Sequence, residues 1–368
     1  MFIDNLKIRM ADIQAIKHWI DNAAGTIPPP MFVDLHLSYT CNYACKGCAY
    51  GGQSKLGGWC MDEIKSLGLI NTLLKWGVMA FDFAGGGEPL LMPGIIDRWR
   101  EINTAGGYYG LITNGYYLTD DIIEELVDSG TYCRVSLEMP NKALFNQYKG
   151  LPEDAQDFDI ILNNIIRLVK KRNEANSPLE VSIKFAVGKT FCFDNGQISP
   201  KAIWDRIHEG YILYKQLGVN SVTYKALRHE PEELSQEQKK LTLDELQGVF
   251  RTEMDICANH GLDFGDIHVW IDECDAQDIP QCKLSPLHTV LDWQGNIYIC
   301  CYYYYREKEH LLGNIFKDDI RQLWGSKKHL DKVRQIDREK CKLVDCKFFK
   351  HHADTQVTNN DNGRKYFL

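Results

Sequence analysis

Between residue 32 and about residue 260, the chain alternates short apolar runs with longer segments of helical periodicity. The apolar runs are rich in β-branched and aromatic residues and have the length of buried strands. Six of them are predicted as strands: Phe32–Ser38, Val78–Ala84, Tyr108–Thr113, Tyr132–Leu137, Leu179–Val187 and Val219–Ala226. The segments between and after them are predicted as helices: Met61–Trp76, Ile95–Ala105, Thr119–Ser129, Ala155–Arg172, Pro200–Leu217 and Thr242–His260.

Strands that alternate with helices predict parallel pairing with right-handed crossovers. Six such units are too few for a closed eight-stranded barrel. We therefore expect an α/β fold, a partial (β/α)6 TIM-like barrel, over residues 31–262. Ligands of such folds bind at the carboxyl ends of the strands, where the βα loops gather.

The pattern changes after residue 262. Thr289–Trp293 and Ile297–Cys301 are predicted as a hairpin with Gly295 in its turn, and Asp318–Gln335 as a helix. These elements indicate a small α+β extension. The chain thus divides into an N-terminal segment, a barrel, an extension and a polar tail, over residues 1–30, 31–262, 263–352 and 353–368.

The amino-acid composition argues against some classes of function. The 368 residues are 44% hydrophobic and 25% charged, which is typical of a soluble globular protein. The net charge of −8 argues against general nucleic-acid or anionic-membrane binding, which depends on clustered Lys and Arg. Because the sequence shows neither a signal-peptide pattern nor an apolar run of membrane-spanning length, we expect a cytoplasmic protein. In that compartment, clustered cysteines more often bind metal or take part in chemistry than form disulfides.

Three of the thirteen cysteines follow the first predicted strand directly, in Cys41-Asn-Tyr-Ala-Cys45-Lys-Gly-Cys48. Three thiolates on a [4Fe–4S] cluster leave one iron open to a small molecule. A closed zinc site needs a fourth ligand, and the nearby His36 belongs to the preceding strand. The spacing therefore favours an open iron–sulfur cluster over structural zinc.

A second motif follows the second predicted strand, in Gly85-Gly86-Gly87-Glu88-Pro89. Glycines let the backbone approach a ligand closely, and a carboxylate beside them can pair with an ammonium group. Alone, this segment is equally compatible with a tight βα turn. Its position one βα unit after the cysteine loop points to a shared site.

The C-x3-C-x2-C loop and the Gly-Gly-Glu segment together resemble the signature of the radical S-adenosylmethionine (SAM) superfamily. The resemblance implies a [4Fe–4S] cluster on Cys41, Cys45 and Cys48, with SAM chelated to its open iron. It further implies reductive cleavage of SAM to a 5′-deoxyadenosyl radical that abstracts hydrogen from a substrate C–H bond. The electron would come from an external donor such as flavodoxin or ferredoxin.

The same resemblance indicates which residues hold SAM. The family usually has an aromatic residue before the third cysteine, but this chain has Gly47, so Tyr43 or Tyr50 is expected to pack on the adenine. Gly85, Gly86, Gly87 and Glu88 are expected at the methionine amine. Polar residues at later strand ends are expected at the ribose or at carboxylate groups: Asn114, Ser136, Lys149 and Lys184. An inward lysine in a strand needs an anionic partner, from cofactor or substrate.

A second cysteine group lies late in the chain. Cys282 and Cys300 flank Gly295 with the spacing C-x12-G-x4-C, and Cys341 and Cys346 follow a predicted helix. Four thiols from two separated elements suit a tetrahedral site, so zinc and an iron–sulfur cluster are both compatible with the spacing.

The residues between these pairs resemble the SPASM or shorter twitch extension of radical SAM enzymes, notably Leu312–Ile315 and Leu323-Trp324. That resemblance implies one auxiliary [4Fe–4S] cluster, with Cys282, Cys300, Cys341 and Cys346 as its ligands. Cys301 could replace or supplement Cys300.

An auxiliary cluster favours reactions in which the substrate radical loses an electron. Epimerisation would instead need a hydrogen donor, for which Cys60, Cys133 and Cys192 are unassigned possibilities. We expect a small-molecule substrate such as a sugar or nucleotide, because only about thirty residues precede the first strand. The alternatives are a peptide or protein maturase and, from another class, a non-catalytic iron–sulfur or zinc scaffold.

Overall fold

The computed structural model describes residues 10–50, 59–227, 232–270, 281–301 and 303–337. The strands are β1 Phe32–His36, β2 Ala80–Phe83, β3 Tyr108–Thr113, β4 Tyr132–Glu138, β5 Glu180–Val187, β6 Phe193–Asp194, β7 Gln197–Ile198, β8 Ser221–Ala226, β9 Asp266–Trp270, β10 His288–Asp292, β11 Asn296–Tyr298 and β12 Leu311–Asn314. The helices are α1 Met10–Asn22, α2 Glu63–Trp76, α3 Ile95–Thr104, α4 Asp120–Ser129, α5 Lys142–Lys149, α6 Asp157–Glu174, α7 Lys189–Cys192, α8 Pro200–Leu217, α9 Gln236–Asn259, α10 Glu307–His310, α11 Ile320–Leu323 and α12 Lys327–Arg334. None of the described helices is both long and apolar enough to cross a membrane.

Ten of these strands form one sheet in the order β12-β11-β10-β1-β2-β3-β4-β5-β8-β9. The eight strands from β10 to β9 are parallel to their neighbours, whereas β11 and β12 are added antiparallel at one edge. The two end strands do not pair with each other, so the barrel stays open. The predicted α/β partial barrel is confirmed.

Two parallel strands join the six that the sequence predicts. Strand β9, Asp266–Trp270, pairs with β8, and its polar–apolar alternation lacks the apolar run that marks the other strands. Strand β10, the first half of the predicted hairpin, lies parallel to β1 with Phe32 opposite His288. The extension therefore shares a sheet with the barrel.

The two faces of the sheet differ sharply in polarity. On β1, Val33 and Leu35 pack into the apolar core together with Leu69 and other residues of α2. Because side chains alternate along a strand, Asp34 and His36 lie on the opposite, inner face. The inside of the barrel is thus partly polar, and functional groups are expected there.

The amino end of the barrel is closed by an apolar cluster. Phe32, at the start of β1, packs in one cluster with Trp19 of α1 and Leu330 of α12. The indole Nε1 of Trp19 donates a hydrogen bond to the Gly325 carbonyl at 3.0 Å. The two ends of the described chain therefore meet at this floor.

The predicted helix Asp318–Gln335 is two helices, α11 and α12. The break falls at Gly325, whose φ of +78° is left-handed, and Ser326 then caps α12 by accepting from the His329 amide at 3.3 Å. A glycine followed by a serine is the usual chemistry for ending one helix and starting another.

Candidate active site

The carboxyl ends of β1 to β5 and of β8 surround a cavity of about 290 Å³. Its wall contains Cys41, Cys45 and Cys48. It also contains every residue expected at the cofactor: Tyr43, Tyr50, Gly85, Gly86, Gly87, Glu88, Asn114, Ser136, Lys149 and Lys184. The structure thus brings together two motifs and four strand ends that are far apart in the chain.

The cysteine loop is anchored on the end of α5. The Lys46 amide donates to the Tyr148 carbonyl at 2.9 Å, and the Ala44 amide to the Lys149 carbonyl at 3.4 Å. Within the loop, the Tyr43 amide donates to the Cys41 sulfur at 3.5 Å. The short helix α5, which the sequence pattern does not predict, holds the loop in place.

The arrangement of the thiols fits an iron–sulfur cluster. The three cysteines line one wall of the cavity, as ligands of a cluster with one open iron must. Burial raises the pKa of Cys41 to about 11 and also raises that of Cys45. The thiolate forms therefore need positive charge beside them, which a metal core supplies.

Lys149 is buried next to this loop. Its ammonium donates to the Ser136 carbonyl at 3.2 Å and lies 5.1 Å from the centre of the Tyr43 ring. Burial alone would lower the pKa of Lys149, but the negative charges of Cys45 and Glu138 raise it overall. Lys149 is therefore a fixed positive charge at the cavity wall.

Glu88 is buried and oriented by the protein itself. Its Oε1 accepts from the Thr113 hydroxyl at 2.6 Å and from the Leu90 amide at 3.1 Å, while Oε2 accepts from the Asn114 amide at 2.7 Å. Burial nevertheless raises the pKa of this carboxyl group. The carboxylate is thus held in one orientation and would gain from a cationic ligand.

The glycines before Glu88 allow the two motifs to pack on each other. A Cβ on Gly87 would lie 2.2 Å from the Thr40 carbonyl oxygen, and one on Gly86 would meet the Tyr39 ring at the same distance. The Gly87 amide donates to the Ser38 carbonyl at 2.7 Å. These glycines therefore permit close approach to the chain before Cys41, whereas the sequence pattern suggested ligand contact or a tight βα turn.

Gly47 has a steric explanation in this fold. A Cβ there would lie 2.4 Å from a Leu227 methyl group and 2.7 Å from the Tyr148 hydroxyl. Both neighbours line the cavity. The space beside the third cysteine is thus already filled by Tyr148 and Leu227, which the sequence analysis did not single out.

Asn114, Tyr43 and Tyr50 are each held by a hydrogen bond. The Asn114 amide group donates to Asn42 Oδ1 at 2.8 Å, and the Tyr43 hydroxyl donates to Asp157 at 3.0 Å. The Tyr50 hydroxyl lies 3.2 Å from a ring nitrogen of His36. These contacts limit the rotation of the side chains that face the cavity.

The structure pairs Lys184 with Glu138, a residue that the sequence analysis left unassigned. The Lys184 ammonium lies 3.1 Å from Glu138 Oε1, and both residues line the cavity. Glu138 has a φ of +72°, which is strained for a residue with a side chain. Within the described chain, no hydrogen bond reaches its buried Oε2. A strained, incompletely paired carboxylate in a cavity is a typical functional feature.

The extension contributes Tyr304 to the same cavity. Its ring lies 5.0 Å from that of Tyr50, and the neighbouring Tyr303 hydroxyl lies 3.2 Å from His36. Tyr50 follows Cys48 and Tyr303 follows Cys300 by a few residues, so an aromatic cluster connects the two cysteine regions.

The proposed hydrogen donors do not line the cavity. Cys133 is fully buried in the apolar core, and Cys192 lies 3.6 Å from the Thr242 hydroxyl. Cys60 forms an isolated bridge with Ser38. Burial raises the pKa of each thiol.

The auxiliary site is described only in part. Cys282 is buried and Cys300 is half-buried, whereas Cys341 and Cys346 lie outside the described residues. Cys301 lies instead near Asp34 and His288 inside the barrel.

Comparison with known proteins identifies the family. The family model of the Radical SAM superfamily matches residues 35–177, and that of the SPASM iron–sulfur cluster-binding domain matches residues 282–347. Together the two matches cover more than half of the chain. The protein therefore belongs to the radical SAM superfamily of enzymes and carries a SPASM domain. Its cofactors are SAM, a [4Fe–4S] cluster and auxiliary iron–sulfur clusters.

Individual relatives are more distant. A curated relative from Pyrococcus furiosus, the tungsten-containing aldehyde ferredoxin oxidoreductase cofactor-modifying protein, is 30% identical over 100 residues. That match spans 27% of this chain and only 28% of the relative.

Solved structures share the fold over most of the chain. Streptococcus suis SuiB bound to S-adenosylmethionine has a TM-score of 0.63 and 14% identity, over 92% of this chain and 75% of SuiB. Native anSMEcpe with bound AdoMet has a TM-score of 0.60 and 15% identity, over 92% and 93% of the two chains.

Proposed function

We propose that this enzyme modifies a peptide or protein by abstracting a hydrogen atom from one of its C–H bonds. The substrate radical then loses one electron to an auxiliary iron–sulfur cluster of the SPASM domain and one proton to solvent. The fold similarity carries this proposal, because SuiB is also known with its precursor peptide SuiA and anSMEcpe with the Cp18Cys peptide. The small-molecule expectation rested on the length of the segment before β1, and we do not retain it. The curated relative is named as a cofactor-modifying protein, so a small-molecule substrate is the competing hypothesis in the second experiment below.

In this proposal, one group of cavity residues holds the cluster and a second group binds SAM. Cys41, Cys45 and Cys48 hold the cluster, on which bound SAM supplies a 5′-deoxyadenosyl radical. Glu88 and the three glycines before it bind the methionine amine of SAM, because the protein already holds the Glu88 carboxylate in one orientation. Lys149 provides the fixed positive charge for the methionine carboxylate. Ser136 and Asn114, at the ends of β4 and β3, bind the ribose.

The remaining polar residues face the substrate. Lys184 and Lys225 belong to the neighbouring strands β5 and β8, and Glu138 lies beside Lys184. We assign these three residues to positioning of the peptide, together with Tyr304 from the extension. Because these residues line the same cavity as the three cysteines, the proposed radical forms within reach of the bound substrate.

The first experiment tests the chemistry. Anaerobically reconstituted, dithionite-reduced enzyme should form 5′-deoxyadenosine, measured by liquid chromatography and mass spectrometry. Cys45→Ala should reduce this product to background, because a cluster with two thiolates does not retain its open-iron geometry. The matched control is Cys60→Ala, a half-buried cysteine outside the cavity, which should keep most of the activity. Equal activity in Cys45→Ala and wild type would refute the site.

The second experiment separates substrate classes. Peptide and small-metabolite fractions of one cell extract are added to the active enzyme, and 5′-deoxyadenosine above the unstimulated level is measured. The peptide fraction should stimulate turnover, and a peptide should lose two hydrogens in the mass spectrum. Stimulation by the metabolite fraction alone would reject the peptide assignment and leave the radical SAM chemistry intact.

A further inference from the structure

Three side chains with metal-binding atoms meet inside the barrel, apart from the cysteine loop. The carboxylate of Asp34, the imidazole of His288 and the thiol of Cys301 have ligand atoms that all lie within 4.8 Å of one another. No other set of three such residues comes this close together in the described part of the chain. They come from β1, β10 and the segment after β11, so the fold alone brings them together.

The spacing suits ligands around a common ion. His288 Nε2 lies 3.5 Å from Asp34 Oδ2, which is longer than a good N–H···O hydrogen bond. Ligand atoms about 2.0–2.3 Å from one tetrahedral metal lie about 3.3–3.8 Å apart, in agreement with this separation.

The site is buried. Asp34 is 3% exposed and His288 1% exposed, and the half-buried Cys301 packs against the apolar clusters that contain Phe32 and Tyr303. A mixed set of carboxylate, imidazole and thiolate, held away from bulk water, is typical of a zinc site and unsuited to magnesium or calcium.

The charges around the triad also balance with a divalent cation. Asp34 lies opposite Asp82 across β1 and β2, and Asp82 accepts a hydrogen bond from Tyr132. The Arg134 guanidinium lies 6.0 Å from the centre of the Tyr132 ring. Two carboxylates and the Cys301 thiolate carry three negative charges, which one arginine and one divalent ion neutralise. Buried charges require such compensation.

We propose that Asp34, His288 and Cys301 bind one zinc ion inside the barrel, with water as the fourth ligand. This site shares no residue with the proposed cluster site and does not depend on the substrate class. It fastens β1 and β10 to the segment that carries Cys300, so it connects the barrel to the SPASM domain. It also removes Cys301 from the auxiliary cluster, where the spacing of the sequence left its role open.

The test uses full-length enzyme with its iron–sulfur clusters reconstituted, supplied with Zn²⁺ and then freed of loosely held metal on a chelating resin. Elemental analysis should find about one zinc per chain. X-ray absorption at the zinc edge should show one sulfur and three nitrogen or oxygen neighbours. Cys301→Ala and His288→Gln should each lower retained zinc at least tenfold, whereas Cys60→Ala should leave it unchanged.

Three outcomes would overturn the site. Zinc with four sulfur neighbours would place the metal on the other cysteines. Full zinc retention by Cys301→Ala would exclude that ligand. If wild-type enzyme retains no zinc, the positive charge of protonated His288 alone compensates the negative charge of Asp34, and the metal site does not exist. The X-ray absorption spectrum of wild-type enzyme identifies the zinc ligands even if a variant misfolds. The rise in the melting temperature of wild-type enzyme on addition of zinc provides a second measurement.

Discussion

The two ends of the barrel are built from the same strands but have opposite compositions. At the carboxyl end, Glu88, Glu138 and Lys149 are charged groups that are at least nine-tenths buried. At the amino end, Phe32 and Trp19 belong to an apolar cluster. At the polar end, charged groups are buried and the backbone of Glu138 is strained. At the apolar end, apolar side chains pack together. The difference predicts that substitutions at the amino end change stability more than chemistry, and that substitutions at the carboxyl end change chemistry more than stability.

The largest predicted effect on stability is at the floor. Trp19→Ala removes a ring that is 2% exposed and its hydrogen bond to Gly325. We expect a loss of about 3–5 kcal/mol in the free energy of unfolding, measured with urea. The 5′-deoxyadenosine formed per folded, cluster-loaded molecule should not change. A proportionate loss of activity in the folded fraction would contradict the separation of the two ends.

The floor should also respond to acid. Burial beside Trp19 and Trp324 lowers the pKa of His329 from 6.5 to about 3. The unfolded chain therefore binds a proton that the folded chain excludes, so this stability is present above pH 6.5 and lost as the pH falls towards 3. We expect a loss of about 3 kcal/mol between pH 7 and pH 4 from this residue.

The matched variant is His329→Asn, which can still accept from the Gly325 amide but does not titrate. Urea unfolding of the cluster-free protein at both pH values should show a smaller acid loss in this variant. Equal acid loss in the two proteins would refute the assignment to His329.

A smaller effect is predicted at the strained end. Glu138→Gly and Glu138→Ala both remove the carboxylate beside Lys184, but only alanine keeps a Cβ at the φ of +72°. The glycine variant should therefore be about 1–2 kcal/mol more stable than the alanine variant. Both should lose substrate-stimulated turnover. Indistinguishable unfolding curves would show that the backbone there is not strained.

The smallest effect is expected on the outer surface. Lys170 and Glu174 form an exposed pair on α6, 3.9 Å apart. Lys170→Ala should change the free energy of unfolding by about 0.5 kcal/mol or less, with no change in turnover. A larger change would mean that this exposed ion pair is worth more than a solvent-screened contact.

The sequence predicted most of the fold because strands buried under helices leave apolar runs, as at residues 78–81. It missed β9, where alternation replaces such a run, and it missed the break at Gly325, because a helical period continues on both sides. It also missed Glu138, since neither its strain nor its partner Lys184 leaves a local signal. Tyr148 escaped notice because it belongs to a short helix and reaches the cysteine loop only through tertiary contact.

The sequence by itself determined the chemistry class: the cysteine spacing after the first strand and the Gly-Gly-Glu segment after the second identify a radical SAM site. These are local patterns, and covalent connectivity preserves them. Only the tertiary structure decided which groups share the cavity, because strand order and register place Glu138 beside Lys184 and Cys301 beside Asp34 and His288. Glu138 and Lys184 are 46 residues apart in the chain, and Asp34 is more than 250 residues from His288 and Cys301, so these groups meet only when the sheet forms.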